Sequence, residues 1–261
     1  MSNTKMQQGD FTTLAKHYIN RPAYSDLILQ TLLKLVNYDA TNPDFQVVEV
    51  GAGTGKLTKM LLELGLNVIA IEPNDAMREE GIKYTEAFEN IIWKKGSGEV
   101  TGVEDHQADW IIMASSFHWT DPNLSLPEFS RILKANGHFT AIWNPRNLEI
   151  SELHTGIEKR IYEIAPNIKR KSSGSGRNSK KWEYILPSTG HFKEVIFTET
   201  DHEELFPKER YMGAWHSVND IPAQAGPEKW QEILKAIEDE IKDLDIIPVP
   251  YKMRAWTTRK A

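Results

Sequence analysis

Two carboxylates and three glycines carry the chemistry most open to reading in this chain. Glu49, Gly51, Gly53 and Gly55 alternate within Val47-Val48-Glu49-Val50-Gly51-Ala52-Gly53-Thr54-Gly55, and Glu72 lies 21 positions beyond Gly51. A loop that lets a ligand touch its backbone needs positive φ values and no Cβ in the way, which glycine supplies. An acidic side chain about 20 residues downstream, at the tip of the next strand, accepts hydrogen bonds from ribose hydroxyls. The two features together propose an adenosine-type ligand.

The elements that must position these groups follow from periodicity. Apolar residues at 47, 48 and 50 suit a parallel strand covered on both faces, and Leu57, Met60, Leu61 and Leu64 recur at helical spacing, with Gly65 marking the helix end. The glycines therefore sit between strand and helix, and the helix is expected to aim free N–H groups at the ligand. Val68-Ile69-Ala70-Ile71 forms the second strand and delivers Glu72 at its end. Spacing then narrows the ligand. A dinucleotide fingerprint needs glycine where Lys56 stands, and a phosphate-binding P-loop needs glycine at Val50 and Ser or Thr at Leu57.

What remains, Glu49-x-Gly51-x-Gly53-x-Gly55 with Glu72, resembles the first two motifs of class I S-adenosylmethionine-dependent methyltransferases, whose ligand has no phosphate. The resemblance is firm over about 45 to 145 and looser elsewhere. It implies an α/β, Rossmann-like, seven-stranded and mostly parallel sheet with helices on both faces. Further motifs extend it. Glu72-Pro73-x-x-x-Met77 matches a pattern in which the methionine lies against adenine, and Ser97 and Gly98, after a third strand at Ile91-Ile92-Trp93, occupy the position that touches the adenine edge. Ser115-Ser116-Phe117-His118-Trp119, after a fourth strand at 109–114, resembles the element that lies beside the sulfonium methyl in the branch containing trans-aconitate methyltransferases. Tyr18-x-x-Arg21-Pro22-x-Tyr24 resembles an entry segment of that branch, which would place Tyr18 and Arg21 at the cofactor carboxylate.

The resemblance implies S-adenosyl-L-methionine as cofactor and S-adenosyl-L-homocysteine as product. Glu49, Gly51, Ala52, Gly53 and Thr54 would follow the methionine and ribose. Glu72 and Pro73 would lie at the ribose, Met77, Ser97 and Gly98 at adenine, and Ser115, Ser116 and Phe117 near the methyl. His118 is the catalytic candidate, since an imidazole can accept a proton from a nucleophile; the alternative is a histidine that shapes the pocket by hydrogen bonding. Trp119 and Trp143 read as acceptor-pocket walls, given the area each ring buries. Arg146, in Asn144-Pro145-Arg146-Asn147 after strand five, joins them on the acceptor side. The expected acceptor is a small molecule, methylated at a carboxylate or hydroxyl oxygen. Nitrogen or carbon methylation, and a non-catalytic S-adenosylmethionine-binding protein, are the alternatives.

The chain is expected to form one domain of 1–261, with a helical lead-in at 1–45, a cofactor-binding core at 46–147, an insertion or lid at 148–190 and closing strands and helices at 191–261. Within the insertion, 169–181 carries Lys169, Arg170, Lys171, Arg177, Lys180 and Lys181 around serines and glycines, so a lid over an anionic acceptor and a plain solvated loop both fit. The net charge of −6 argues against a nucleic-acid partner, and 40% hydrophobic residues are enough for a core. Without cysteine there is no disulfide or thiolate metal site. Asp201-His202-Glu203-Glu204, read as a turn after strand six (191–197), is assigned no metal. No apolar run approaches about 18 residues, so a soluble, cytoplasmic protein with no membrane partner is expected. Oligomeric state is not readable.

Overall fold

The computed structural model describes residues 15–170 and 182–261. Its elements run α1 (Ala15–Tyr18), α2 (Asp26–Leu35), β1 (Gln46–Val50), α3 (Lys56–Glu63), β2 (Asn67–Ile71), α4 (Asp75–Tyr84), β3 (Ile91–Lys94), β4 (Ala108–Ala114), α5 (Pro122–Ile132), β5 (Leu133–Trp143), α6 (Glu152–Ile164), α7 (Trp182–Ile185), β6 (Phe192–Pro207), α8 (Lys208–His216), α9 (Asp220–Glu240) and β7 (Ile246–Lys260). Seven strands form one sheet in the order β3-β2-β1-β4-β5-β7-β6. The first five are parallel neighbours, and β7 runs antiparallel to β5. The α/β class and the mostly parallel Rossmann-like sheet are as expected.

The chain divides into two compact units. The larger comprises Ala23–Asn144, Ser173–Thr200 and Met253–Ala261; the smaller comprises Met1–Pro22, Pro145–Ser172 and Asp201–Lys252. The division falls at neither 148 nor 190, and both units draw on the stretch expected to be a single insertion.

In the larger unit, alternation along β1 sends Val47 to one face of the sheet and Val48 and Val50 to the other. Val47 packs with Leu29 and Leu32 of α2 and Leu57 and Leu61 of α3, all fully or nearly fully buried. Val48 and Val50 belong to the opposite core, with Leu126, Phe129 and Ile132 of α5 and the rings of Trp143, Trp182 and Trp256. Both faces are covered, which is why the strand reads as a near-continuous apolar run. Because the strand order reverses at β1, the carboxyl ends of β1 and β4 open the crevice where such sheets bind ligands.

In the smaller unit α6, α8 and α9 pack around Ile157, Ile161, Trp215, Ile233 and Ile237 with Val249 of β7. The helix α9 bends at Gly226 (φ 81°), directly before Pro227, which lacks an N–H to continue the ladder.

Gly81 lies inside α4, where a Cβ would collide with the Trp93 ring, so glycine is the residue that fits. Gly137 lies within β5, and α5 stops at Ile132, where Leu133 turns extended. β6 continues to Pro207, so Asp201-His202-Glu203-Glu204 is strand, not turn. Successive side chains there point to opposite faces, and Glu204 is taken by Arg210 at 2.6 Å. Residues 171–181 of the basic segment lie outside the described residues. No helix among the described residues is long and apolar enough to cross a membrane.

Candidate functional site

At the tip of β1, Gly51 (φ 72°), Gly53 (φ 59°) and Gly55 (φ 80°) all adopt the left-handed conformation that costs other residues about 1–2 kcal/mol. Gly51 has a second reason to be glycine: a Cβ there would lie 2.7 Å from both Cβ and Oγ of Ser116. Ser116, just beyond β4, in turn donates its hydroxyl to Val50 O at 3.1 Å. The tips of β1 and β4 are thereby locked together.

The N–H groups of this loop are engaged within the protein. Gly51 and Ala52 both donate to Ile71 O, at 2.8 and 3.0 Å, and Gly55 donates to Ala52 O at 3.0 Å. Gly53 donates to Glu72 Oε2 at 2.9 Å. These four donors belong to the loop and not to the first turn of α3, where the free N–H groups are expected. Within the loop a ligand that presents hydroxyls fits better than a phosphate.

Glu72 is 7% exposed and holds its carboxylate between two backbone donors, Gly53 N on Oε2 and Asn74 N on Oε1, each at 2.9 Å. Burial raises its pKa above the ordinary carboxylate value, while those two N–H groups and the Arg78 charge oppose the rise. Each oxygen accepts one backbone N–H and keeps a second lone pair, so the pair can receive a vicinal diol. Asn74 also caps α4 by accepting from Met77 N at 3.1 Å, which fixes Met77, 5% exposed, with its Cε beside Gly53. Pro73 is exposed between them.

Glu49 is 1% exposed and accepts the Thr58 hydroxyl on Oε2 at 2.6 Å, tying β1 to α3. Burial pushes its pKa up to about 8, with a smaller push from Glu72. Thr54 is buried as well. Ser97 closes a tight turn, donating N–H to Val100 O at 2.9 Å, and Gly98 leaves room for the Thr120 methyl, which a Cβ would meet at 2.6 Å.

Beyond β4, Ser115 takes a positive φ of 53°, and its hydroxyl lies 3.4 Å from the Tyr24 hydroxyl. Tyr24 was legible only as part of the entry motif and was no site candidate. Phe117 is fully buried, its ring packed against Phe129, Phe139 and Trp182 in the core. Trp143 is also core: 1% exposed, stacked on Trp182 at 4.9 Å and 12°, and edge-on to Trp256. Of the two expected pocket walls, Trp119 alone is exposed.

Trp143 reaches the site through its indole N–H, which donates to His118 Nδ1 at 3.2 Å. An indole nitrogen can only donate, so Nδ1 must be the unprotonated nitrogen and Nε2 carries the hydrogen. Burial holds the His118 pKa below its usual value, which keeps the ring neutral. In this state its basic lone pair is occupied, and its remaining function is to donate from Nε2.

The other candidates lie in the smaller unit. Arg21 stacks over the Tyr18 ring at 4.3 Å and gives Nε and Nη2 to the hydroxyl and carbonyl of Ser217, at 2.8 and 2.9 Å. Its fork is committed to the fold. Arg146 sits with its guanidinium carbon 4.5 Å from the Trp215 ring centre. Nothing in the sequence tied positions 211, 215 and 251 to it, because those contacts are made across elements far apart in the chain.

Residues 48–141 match the family model described as a methyltransferase domain. A 102-residue stretch is 34% identical to an uncharacterized methyltransferase of Mycobacterium tuberculosis, covering 39% of this chain and 41% of that protein. Over 252 residues, 92% of this chain and 94% of the other, it is 26% identical to an uncharacterized methyltransferase of Schizosaccharomyces pombe. Among solved structures, a candidate type II methyltransferase from Anaeromyxobacter dehalogenans matches with TM-score 0.65 and 19% identity, over 92% of this chain and 97% of that one. A Haemonchus contortus phosphoethanolamine N-methyltransferase, solved with S-adenosylhomocysteine, matches with TM-score 0.55 and 13% identity, over 95% of this chain and 57% of that one.

Proposed function

Because this chain carries a methyltransferase domain of the class I, S-adenosylmethionine-dependent family, we propose that it methylates a small-molecule acceptor, at a carboxylate or hydroxyl oxygen. The observation that carries the reading is the closure of Gly53 N–H on Glu72 at 2.9 Å, which orients a buried carboxylate beside a turn whose glycine N–H groups are engaged within the protein. Such a site suits the ribose diol of an adenosine without phosphate. Gly51, Ala52, Gly53 and Thr54 line the methionine and ribose, Glu72 and Pro73 the ribose, Met77, Ser97 and Gly98 the adenine, and Ser115 and Ser116 the methyl end. Tyr18 and Arg21 are assigned no ligand, since Arg21 is held by Ser217.

Bound S-adenosylmethionine supplies a methyl group already activated by a sulfonium and leaves as S-adenosylhomocysteine. The protein therefore has mainly to align an acceptor lone pair and exclude water, and no acid–base residue is obligatory. His118 fits that economy as a neutral Nε2 donor that positions the acceptor, held in tautomer and orientation by Trp143. The test is a screen of small carboxylic acids, phenols and amines with methyl-labelled cofactor, read by mass. A gain of one methyl on an oxygen acid or phenol supports the proposal. Labelling of amines alone moves the reaction to nitrogen, and binding of S-adenosylhomocysteine with no transfer to any compound points to a binding protein.

A further inference from the structure

His118 is fixed from two sides. On the chain side the short turn Phe117–Trp119 is closed by Trp119 N on Ser116 O at 2.9 Å, and Phe117 O accepts both Thr120 N and Thr120 Oγ1, at 3.1 and 2.9 Å. On the ring side the Trp143 indole holds it through a single hydrogen bond to Nδ1. One neutral hydrogen bond contributes little net free energy, and an indole turns about two side-chain torsions, so that bond does not aim itself. The plane of the Trp143 ring must be held by its packing.

Trp182, the first residue of α7, touches both sides of this arrangement. Its ring stacks on Trp143 with centroids 4.9 Å apart and planes 12° from parallel, and it lies 5.2 Å from the Phe117 ring at 50°. A stacked partner opposes any tilt of the indole plane, because tilting drives one edge of the ring into its neighbour in a close-packed interior. Trp256 abuts the same indole edge-on at 5.5 Å and 76°, which closes a second direction. The base of Trp182 is firm as well. Leu186 N donates to Trp182 O at 2.9 Å, and Leu186 is fully buried in the same core, with Ile185 packed against it. The rings recorded against His118 are those of Trp119 and Trp143, at 5.0 and 6.4 Å, so Trp182 reaches the imidazole through Phe117 and Trp143. All of these residues belong to the larger unit.

We infer that Trp182 is a positioning residue: stacked on Trp143 and packed against Phe117, it holds the indole N–H on Nδ1 and so keeps the hydrogen of His118 on Nε2. Which imidazole nitrogen carries the hydrogen is set by the bond that the other nitrogen makes, and here that bond depends on a ring more than 60 positions away in the chain. Without Trp182 the indole is free to leave Nδ1, and the neutral imidazole then takes its hydrogen on either nitrogen. The consequence for methyl transfer rests on the reading of His118 proposed above; the tautomer is testable apart from it.

The experiment is nitrogen–proton NMR of the His118 ring in the full chain at about pH 8, above the ordinary histidine pKa, with the signals assigned by His118→Ala. In the wild type Nδ1 should report as an unprotonated nitrogen and Nε2 as a protonated one. Trp182→Ala should draw the two nitrogen shifts together, as should Trp143→Phe, which removes the donor, whereas Trp182→Phe keeps a flat ring and should restore most of the separation. Ile132→Ala opens a cavity in the same core from α5 and controls for general loosening: it should lower the thermal midpoint and leave both shifts in place. With an acceptor from the screen above, Trp182→Ala should lower kcat about two- to tenfold, the worth of one lost hydrogen bond, and should have no further effect in a His118→Ala background. If Trp182→Ala does not fold, Trp182→Leu carries the same measurements. Wild-type nitrogen shifts in the folded Trp182 variant, or the same merging of shifts in Ile132→Ala, overturn the inference. Merged shifts in Trp182→Ala with undiminished transfer by His118→Ala leave the hold on the tautomer standing and remove His118 from the reaction.

Discussion

Gly53 donates its N–H to Oε2 of Glu72 across 2.9 Å, so the turn after β1 and the tip of β2 are one unit and not two independent contributors. Asn74 N completes the arrangement on Oε1. The carboxylate is oriented before any ligand arrives, which lowers the ordering cost of binding.

Gly51→Ala should cost far more affinity for S-adenosylhomocysteine than stability. The new Cβ meets Ser116 at 2.7 Å in a left-handed backbone, so the β1 and β4 tips must separate. A loss of affinity of tenfold or more, with the thermal midpoint lowered by several degrees, is the expected calorimetric result. Unchanged affinity would place the ligand elsewhere.

Glu49→Gln tests whether that residue serves the ligand or the fold. The folded-state pKa of about 8 lies above the ordinary 4.5, so the folded protein binds the extra proton and stability falls as pH rises between those values. Removing the charge should stabilise the protein above pH 8 by an amount on the order of a few kcal/mol, with the difference vanishing below about pH 4.5. Denaturant melts across this range check it. Cofactor affinity should stay within about twofold; a large loss would mean Glu49 touches ligand after all.

His118→Ala should lower kcat by less than about tenfold and leave no missing limb in the pH–rate profile, because general-base catalysis is worth about 10²–10⁴ and its lone pair here is held by Trp143. A drop beyond a hundredfold, with loss of the acidic limb, would restore the base.

Trp143→Ala should destabilise the larger unit by about 3–5 kcal/mol, as for a large aromatic removed from a packed core. Its stacking on Trp182 and its 1% exposure give the reason. A variant with wild-type stability and an altered KM would return Trp143 to the acceptor pocket.

The sequence was most legible where one local pattern has one physical cause. The Glu49-to-Gly55 run and Glu72 announce strand, turn and strand tip because glycine spacing and apolar alternation act within a few residues, and α3 falls at Lys56–Glu63, where Leu57, Met60 and Leu61 recur at helical spacing. Aromatic residues were harder. Phe117 and Trp143 sit beside the site in the chain, yet the direction of each ring depends on Phe139, Trp182 and Trp256, far away in sequence. Arg146 illustrates the same limit: its neighbours Tyr211, Trp215 and Tyr251 come from α8 and β7, and only the fold gathers them.

The most direct test of the central claim is a calorimetric titration of S-adenosylhomocysteine into the wild-type protein and into Glu72→Ala across a pH series. Diol hydroxyls donate to the ionised carboxylate, so wild-type affinity should rise as pH climbs through the raised Glu72 titration and then level off. Glu72→Ala should bind about ten- to a hundredfold more weakly, with that pH dependence gone. Equal affinity in the two proteins, with the same pH profile, would contradict the account.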